Sequence, residues 1–264
     1  MPRVGWAVLS LLILVTAGRA DEWSKTYKIT GKADLRVTTT DASIMVDTWD
    51  RNAIEARVTT RNLKIGEGGL VVNDTQAGDS VTLEVRFPRQ HFGVWVHNIT
   101  RVEIEIHMPR QGQANLHTAD GSIRLAHLNG NMELETADGN VEVTAVQGTL
   151  RAHTGDGHIL AQGRFDGLEI RTGDGRVETR AETGSSLGSG WDLETGDGSV
   201  TLELPRNLAA DVELESGDGH IHLDLPLAVE GRLKENHLRG KMNGGGPPLR
   251  VHTGDGSIEL KAAI

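Results

Sequence analysis

The feature that most constrains this chain is a repeated Asp-Gly pair. Apart from Asp166-Gly167, which belongs to a looser set of turns, the first four pairs stand 18 residues apart, and the later spacings are 23, 21 and 37 residues. We interpret the later spacings as 18 plus 5, 18 plus 3 and twice 18 plus 1, with the extra five supplied by the Gly/Ser-rich stretch 184–190. A fixed period of this length is typical of a repeat protein in which each unit packs on its neighbours.

The sequence between these pairs alternates between apolar and polar residues, which predicts β-strands. Leu150 and Thr154 fall on one side of such a strand, while Arg151 and His153 fall on the other. A looser turn signal, such as Gln147-Gly148, lies half-way between successive Asp-Gly pairs. The chain is therefore predicted to be all-β, with strands of about five or six residues between turns.

Two all-β architectures fit this pattern. In an antiparallel meander each Asp-Gly pair is a hairpin turn, whereas in a single-stranded β-solenoid of about 18 residues per coil it is a corner. A column of hydroxyl residues before the corners favours the solenoid, because stacked coils place equivalent residues on top of one another. The column consists of Thr118, Thr136, Thr154, Thr172, Thr195, Ser216 and Thr253.

We predict that the Asp-Gly pairs are structural corners. Glycine accepts a positive φ or a close backbone approach, and aspartate can close a turn by accepting backbone N–H groups. The predicted corner residues are Asp120, Gly121, Asp138, Gly139, Asp156, Gly157, Asp174, Gly175, Asp197, Gly198, Asp218, Gly219, Asp255 and Gly256.

The first part of the chain shows a degenerate copy of the repeat. Residues 35–44 match residues 249–258 at seven of ten positions. The region 49–109 contains longer strand patterns, at 54–60, 80–87 and 100–108. We therefore predict an N-terminal β lobe over 21–110, which opens with a degenerate coil and caps the stack, followed by β-solenoid repeats over 111–264.

Residues 1–20 have the pattern of a signal peptide. Arg3 precedes an apolar run, and small residues at Gly18 and Ala20 fit a cleavage site, so we expect cleavage after Ala20. A retained anchor is the alternative, although the apolar run is short for a bilayer span. No later stretch is apolar enough to span a membrane. The chain has no Cys and a net charge of −10, which excludes disulfide staples and argues against nucleic acid as a partner.

With these features the chain resembles the bacterial "putative adhesin" family, a domain of unknown function found in exported proteins. The resemblance rests on the signal segment, the opening strand 34–37 with its Asp-Ala-Ser-Ile corner, the Met108-Pro109 step, the serial corners and the glycine-rich stretch 240–246. It implies a β-solenoid fold and, from the family name, a role in binding at the cell envelope. This chain shows no visible C-terminal anchor or sorting signal.

Three sets of side chains are candidates for metal or catalytic chemistry. The Asp column could be a calcium ladder, but its alternate corners lack the flanking glycines of calcium-binding β-rolls, so we predict corner-closing carboxylates and no metal. His220 and His222 share a face without an evident third ligand. An outward column could line a catalytic cleft, although mixed charges on a solvated face are the commoner explanation. It consists of His117, Glu135, His153, Arg171, Glu194, Glu215 and His252.

The sequence thus predicts a non-enzymatic, exported, adhesin-like binding or scaffold protein of the cell envelope, with no cofactor. A carbohydrate-active β-solenoid enzyme, either a polysaccharide lyase or a hydrolase, is the alternative. The aromatic-rich segment 91–96 contains Phe92 and Trp95, which form a possible contact patch for a protein or glycan partner or a cap for the open end of the stack. Trp191 keeps the phase of the inward residues and is predicted to lie in the core.

Overall fold

A computed structural model describes residues 20–88, 101–188, 190–229 and 236–263. These residues form 21 β-strands in one open sheet, and no helix occurs among them. The strands are β1 (Ala20–Lys28), β2 (Ala33–Thr39), β3 (Ser43–Trp49), β4 (Ala53–Arg61), β5 (Val71–Ala77), β6 (Ser80–Arg86), β7 (Arg101–Pro109), β8 (Gln111–His117), β9 (Ile123–Ala126), β10 (Asn129–Thr136), β11 (Val141–Thr154), β12 (Ile159–Thr172), β13 (Val177–Ala181), β14 (Trp191–Thr195), β15 (Val200–Leu204), β16 (Ala210–Ser216), β17 (Ile221–Asp224), β18 (Ala228–Val229), β19 (His237–Met242), β20 (Pro248–Thr253) and β21 (Ile258–Ala262).

The strands form two walls joined at the Asp corners. The upstream wall holds the strands that lead into a corner, and the downstream wall holds those that leave it. A tier is the pair of strands joined by one corner. The long strands β11 and β12 each run from the downstream wall of one tier into the upstream wall of the next. Successive middle tiers pair in parallel, so that Asn129 lies beside Gln147, 18 positions later. The alternative antiparallel meander of hairpins is therefore absent from the described repeats.

The core lies between the two walls and follows the alternation in the sequence. Leu150, Ala152 and Thr154 are buried, whereas Arg151 and His153 between them are exposed. The same alternation holds along β10, β12 and β14. Most core side chains are aliphatic, since the space between the walls is thin. Trp191 is buried, as predicted from its phase, and its ring meets Phe165 edge-on at 6.2 Å.

The order of the last tiers corrects one interpretation of the sequence. The 37-residue spacing suggests two successive turns of the stack, but the β20–β21 tier lies between the β14–β15 and β16–β17 tiers. Leu249 pairs with Trp191 on one side and with Val212 on the other. The chain passes through β19, on the far side of β16, and then turns back into this position. The interpretation is wrong because a spacing along the chain does not determine which strands become neighbours.

The N-terminal region contains the same kind of insertion. The β2–β3 tier lies between the β6–β7 strands and the β8–β9 tier, because β2 pairs with both β6 and β8, and β3 pairs with both β7 and β9. Residues 35–44 and 249–258, which resemble each other in sequence, therefore occupy equivalent places near opposite ends of the stack. Their similarity reflects a shared position.

Antiparallel strands border the parallel stack at both ends. β5 pairs with β6, and β1 and β4 extend the wall beyond β7. At the other end β19 pairs with β16, and β18 pairs with β19. Within the described ranges, no helix has the length and apolar character needed to span a bilayer.

Candidate functional site

The Asp-Gly corners stack directly on one another and are held by a repeated hydroxyl contact. The Oγ1 atom of Thr154 donates to the carbonyl oxygen of Gly139 at 2.9 Å and accepts from the backbone N–H of Gly157 at 3.2 Å. The backbone N–H of Asp156 donates to the carbonyl of Ala137 at 3.0 Å. Equivalent hydroxyl contacts to the preceding tier occur at Thr118, Thr136, Thr172, Thr195, Ser216 and Thr253.

The glycine of each pair is required because of close backbone approach, which is one of the two reasons that the sequence suggests. Gly157 does not have a positive φ, but a Cβ there would lie 1.9 Å from the carbonyl oxygen of Gly139. Positive φ values occur instead at the looser turns, where Gly130 has a φ of 150° and Gly148 has a φ of 123°. The Asp corners thus need glycine because adjacent tiers approach too closely for a side chain.

The stacked corners bring carboxylates together at the N-terminal end of the Asp column. A hydrogen bond with Asp41, together with partial desolvation and the charges of Asp41 and Asp138, raises the pKa of Asp120 above its ordinary value. Asp41 stands at the Asp-Ala corner of the β2–β3 tier, so the column begins one tier earlier than the first Asp-Gly pair. Within the described residues, no group of three or more His, Asp or Glu side chains is placed to hold a metal ion.

We expect Asp120 to make the protein more stable as the pH falls from neutral through its raised folded pKa towards the unfolded value of 3.8. Because its folded-state pKa is raised, its contribution is fully present below the unfolded value of 3.8 and is lost as the pH rises through the folded pKa. Asp120→Asn should therefore raise the melting temperature near pH 7 and weaken its increase on acidification. Thermal melts across this range measure the effect.

Asp79 provides the control of opposite sign. The backbone N–H of Thr30 donates to its carboxylate and lowers its pKa, so its contribution is present above the unfolded value and is lost as the pH falls through the lower folded pKa. Asp79→Asn should lower the melting temperature at neutral pH. Identical pH profiles for Asp120→Asn and the unaltered chain would contradict the carboxylate contact.

The outward column on the upstream wall has a different order from that of the sequence, because β20 is inserted. Read along the wall, His252 stands between Glu194 and Glu215. Bases and acids alternate along the column, except that His153 stands beside Arg171. His117 lies 3.3 Å from the carboxylate of Glu135. The full order is His117, Glu135, His153, Arg171, Glu194, His252, Glu215 and His237.

A groove of about 280 Å³ lies on the outer side of the downstream wall, between β3, β7, β9 and β11. We call it the β3–β9 groove. Its centre contains the small side chains of Ala126 and Thr144, and Met45 adds an apolar wall. Because neighbouring strands carry larger outward side chains, the two small residues create the depression. The groove is open to solvent along the wall.

Each carboxylate that lines this groove has a basic neighbour. Asp47 accepts from the Nδ1 atom of His127 at 2.8 Å, Glu142 accepts from Arg124 at 3.1 Å, and Glu105 lies 3.9 Å from Arg57. Each of these acids therefore has a directional polar partner, and the arginines also compensate the charges of Glu142 and Glu105. Glycoside hydrolysis uses a carboxylic acid with a raised pKa and a second carboxylate on either side of the scissile bond.

The Asp47–His127 contact is the most constrained part of the groove. Partial burial raises the pKa of Asp47, but the hydrogen bonds from His127 and from the backbone N–H of Thr48 outweigh it and hold the pKa below its ordinary value. His127 has a φ of 60°, in the left-handed region that non-glycine residues seldom adopt. The carbonyl of His127 also accepts from Thr48 at 3.2 Å, which fixes the turn against β3.

An aromatic and cationic stack stands at one end of the groove. The rings of Trp49 and His107 lie 5.4 Å apart and nearly parallel, and the guanidinium of Arg51 lies 4.8 Å from the centroid of the Trp49 ring. The indole N–H donates to the carbonyl of Ala53 at 2.8 Å. The indole thus has both ring and hydrogen-bond partners, and the stack forms a rigid rim that joins β3 to β7.

The family of the chain follows from a family model that matches residues 97–261. This range includes every Asp-Gly corner and more than half of the chain. The chain belongs to the Toastrack DUF4097 family. No curated protein matches it.

Solved structures similar to this Toastrack chain come from several bacteria. A "putative adhesin" from Bacteroides fragilis has a TM-score of 0.51 at 12% identity, with 92% of this chain and 97% of that chain covered. A "putative cell adhesion protein" from Clostridium sporogenes gives a TM-score of 0.38 at 16% identity, with 93% and 100% covered. A "putative lipid binding protein" from Parabacteroides distasonis gives 0.37 at 15% identity, with 91% and 96% covered.

The remaining predicted site residues of the Toastrack chain are not brought into the groove. Phe92 and Trp95 lie outside the described residues, as does most of the predicted signal peptide. His220 and His222 are exposed near the opposite end of the downstream wall.

Sequence reasoning missed the groove, because His127 belongs to a looser turn and its partner Asp47 is 80 positions away. The sequence does carry one signal for this turn. Non-glycine residues occupy the left-handed position of two looser turns that lie one repeat apart, His127 in the first and Ala145 in the second.

Proposed function

We propose that this Toastrack chain is a non-enzymatic, exported, adhesin-like binding or scaffold protein of the cell envelope. The observation that carries the proposal is the charge pairing of the β3–β9 groove, where each lining carboxylate contacts a base. Acid–base pairs beside the small side chains of Ala126 and Thr144 and the apolar side chain of Met45 suit recognition of a partner, because they offer directional polar contacts next to apolar surface.

Two further features support the proposal. The N-terminal segment has the pattern of a signal peptide, and the structural neighbour from Bacteroides fragilis is described as a "putative adhesin". In this proposal the tiers are the coils of a β-solenoid with about 18 residues each. The lobe over 21–110 caps the first repeats, and the Asp-Gly pairs are structural corners without metal.

A carbohydrate-active enzyme is the second candidate, because β-solenoids carry such activities on a lateral face. It requires a general acid and a second carboxylate on either side of the scissile bond. Asp47 and Glu142 both line the groove, but the hydrogen bond from His127 helps to hold the pKa of Asp47 below its ordinary value, whereas a general acid needs a raised pKa. The geometry therefore favours binding over hydrolysis.

The experiment fills the groove without touching its ion pairs. We expect Ala126→Arg to weaken binding of the mature chain to purified envelope material by at least about tenfold, a loss of about 1.4 kcal/mol. Thr149→Arg, on an exposed position of the upstream wall, is the matched control and should bind normally. Envelope material treated with protease, and separately with periodate, then distinguishes a protein partner from a glycan.

Two results would contradict the proposal. Equal binding by the unaltered chain, Ala126→Arg and Thr149→Arg would show that the groove does not contact the partner. Saturable release of reducing ends or unsaturated sugars from polysaccharides, lost in Asp47→Asn, would identify the enzyme instead. Circular dichroism of each variant checks that the sheet is intact.

A further inference from the structure

The slot between the β14–β15 and β16–β17 tiers is filled by a segment that follows both of them in the chain. The segment comprises β20, its corner and β21. β20 is hydrogen-bonded to β14 on one side and to β16 on the other, and β21 is likewise paired with β15 and β17. Its four inward residues, Leu249, Val251, Ile258 and Leu260, are buried. The segment thus completes both walls.

The outward charges of the segment match the slot on the upstream wall. Arg250 stands between Asp192 and Glu213, and its guanidinium lies 3.8 Å from the Glu213 carboxylate. Two residues further along β20, His252 stands between Glu194 and Glu215. Each base of the segment is therefore flanked by two acids.

The downstream wall repeats this pattern. Lys261 stands between Glu203 and Asp224. Its pKa is raised by the hydrogen bond to Glu259 and by the charges of Glu203 and Asp224. If the two flanking tiers met without the segment, all three columns would place acid beside acid, and like charges across strands oppose pairing. The slot therefore matches a β–corner–β segment that carries bases at these three positions.

The connection into the slot is a glycine-rich turn outside the walls. Asn243, Gly244 and Gly245 have φ values of 51°, 90° and 89°. A Cβ at Gly244 would meet nothing within 4 Å, but Asn243 donates through Nδ2 to the carbonyls of Arg206 at 2.8 Å and of Leu208 at 2.7 Å, so the turn is anchored at Asn243 and open at Gly244. Opening the turn into an extended hinge breaks these two hydrogen bonds, but it releases Asn243 from the left-handed region, and the glycines allow the extended backbone. The features that recognise the slot lie in the segment itself and are retained when the hinge opens.

We propose that the slot is an exchange site, in which the β20–β21 segment of a second copy of this chain takes the place of the chain's own segment. The complementarity of charge, apolar alternation and corner geometry is the same whether the segment comes from the same copy or another one. Reciprocal exchange buries the same surfaces twice and forms a closed dimer. This proposal does not depend on the ligand of the β3–β9 groove.

Cysteine cross-linking tests the exchange, since the natural chain has no Cys. Thr201 and Glu259 are register partners on adjacent strands, at a separation that suits a disulfide. One full chain carries Thr201→Cys and another carries Glu259→Cys. The two are unfolded in urea, refolded together at high concentration and oxidised. We expect a covalent dimer at least about ten times more abundant than in the control mixture of Thr201→Cys with Thr149→Cys, which joins different walls.

Two further samples make the result decisive. A chain with both cysteines, refolded at low concentration, should close an internal disulfide, and its absence would show that the segment does not occupy the slot. Adding Arg250→Glu and Lys261→Glu to the Glu259→Cys chain should reduce the covalent dimer at least about fivefold, while circular dichroism reports whether the sheet forms. A dimer yield equal to that of the control mixture would overturn the proposal.

Discussion

Replacing Gly157 by alanine is expected to lower the free energy of unfolding by about 3 kcal/mol. The new Cβ would lie 1.9 Å from the carbonyl oxygen of Gly139 and 2.6 Å from its carbonyl carbon. Both are backbone atoms of the adjacent tier, so no rotation of a side chain relieves the overlap. The tiers must separate at this corner, which weakens the hydrogen bonds made by Thr154. Valine should cost at least as much, and urea denaturation followed by circular dichroism measures the loss.

Two control variants separate close approach from other effects. Gly78 has a φ of 61°, and a Cβ there would meet no atom within 4 Å, so Gly78→Ala should cost only the conformational strain of about 1 kcal/mol. Arg151 is exposed and contacts Glu169 at 2.8 Å, so Arg151→Ser should cost about 0.5 kcal/mol. A Gly157→Ala loss no greater than that of Gly78→Ala would show that the corners are not tightly stacked.

Replacing Thr154 by valine is expected to cost about 2 to 3 kcal/mol, although the shape of the side chain is conserved. The hydroxyl donates to the Gly139 carbonyl at 2.9 Å and accepts from the Gly157 N–H at 3.2 Å. Valine would leave both backbone groups without this partner in a buried position. The same denaturation measurement reports the loss.

Serine at the same position is the matched control. Thr154→Ser keeps the hydroxyl and removes one methyl group, so it should cost about 1 kcal/mol. Serine already performs this role at Ser216, where Oγ donates to the Gly256 carbonyl at 2.8 Å. If valine were tolerated as well as serine, the hydroxyl column would be a packing feature and not a source of hydrogen bonds.

The sequence was sufficient to predict the local structure of the repeats. Alternation identified Leu150 and Thr154 as inward and Arg151 as outward, because the period of a strand is a local property. The order of the tiers was not predictable in this way, since equivalent strands offer the same hydrogen-bonding edge to any neighbour. A clue was present in the charges, because sequential stacking would have placed Glu194 beside Glu215.

The β3–β9 groove was harder to predict from the sequence than the corners. The corner glycines repeat, so their role shows in the spacing. Asp47 and His127 meet only because β3 is inserted beside β9, and although the turn at His127 recurs at Ala145, the histidine does not. A site built from such non-repeating residues becomes visible only when the order of the strands is known.

The two inserted tiers also determine where further repeat units can be added to this fold. Near each end, the β2–β3 and β20–β21 tiers lie out of sequence order, and each is paired with a tier on both sides. A unit duplicated there would disturb both pairings and the connection that brings the chain back into the stack. Between β8 and β13 the chain is strictly sequential, and an 18-residue unit added there would find the same neighbours on both sides. Longer relatives with this fold should therefore have additional 18-residue units in the middle of the molecule, while the order of the tiers at both ends stays the same.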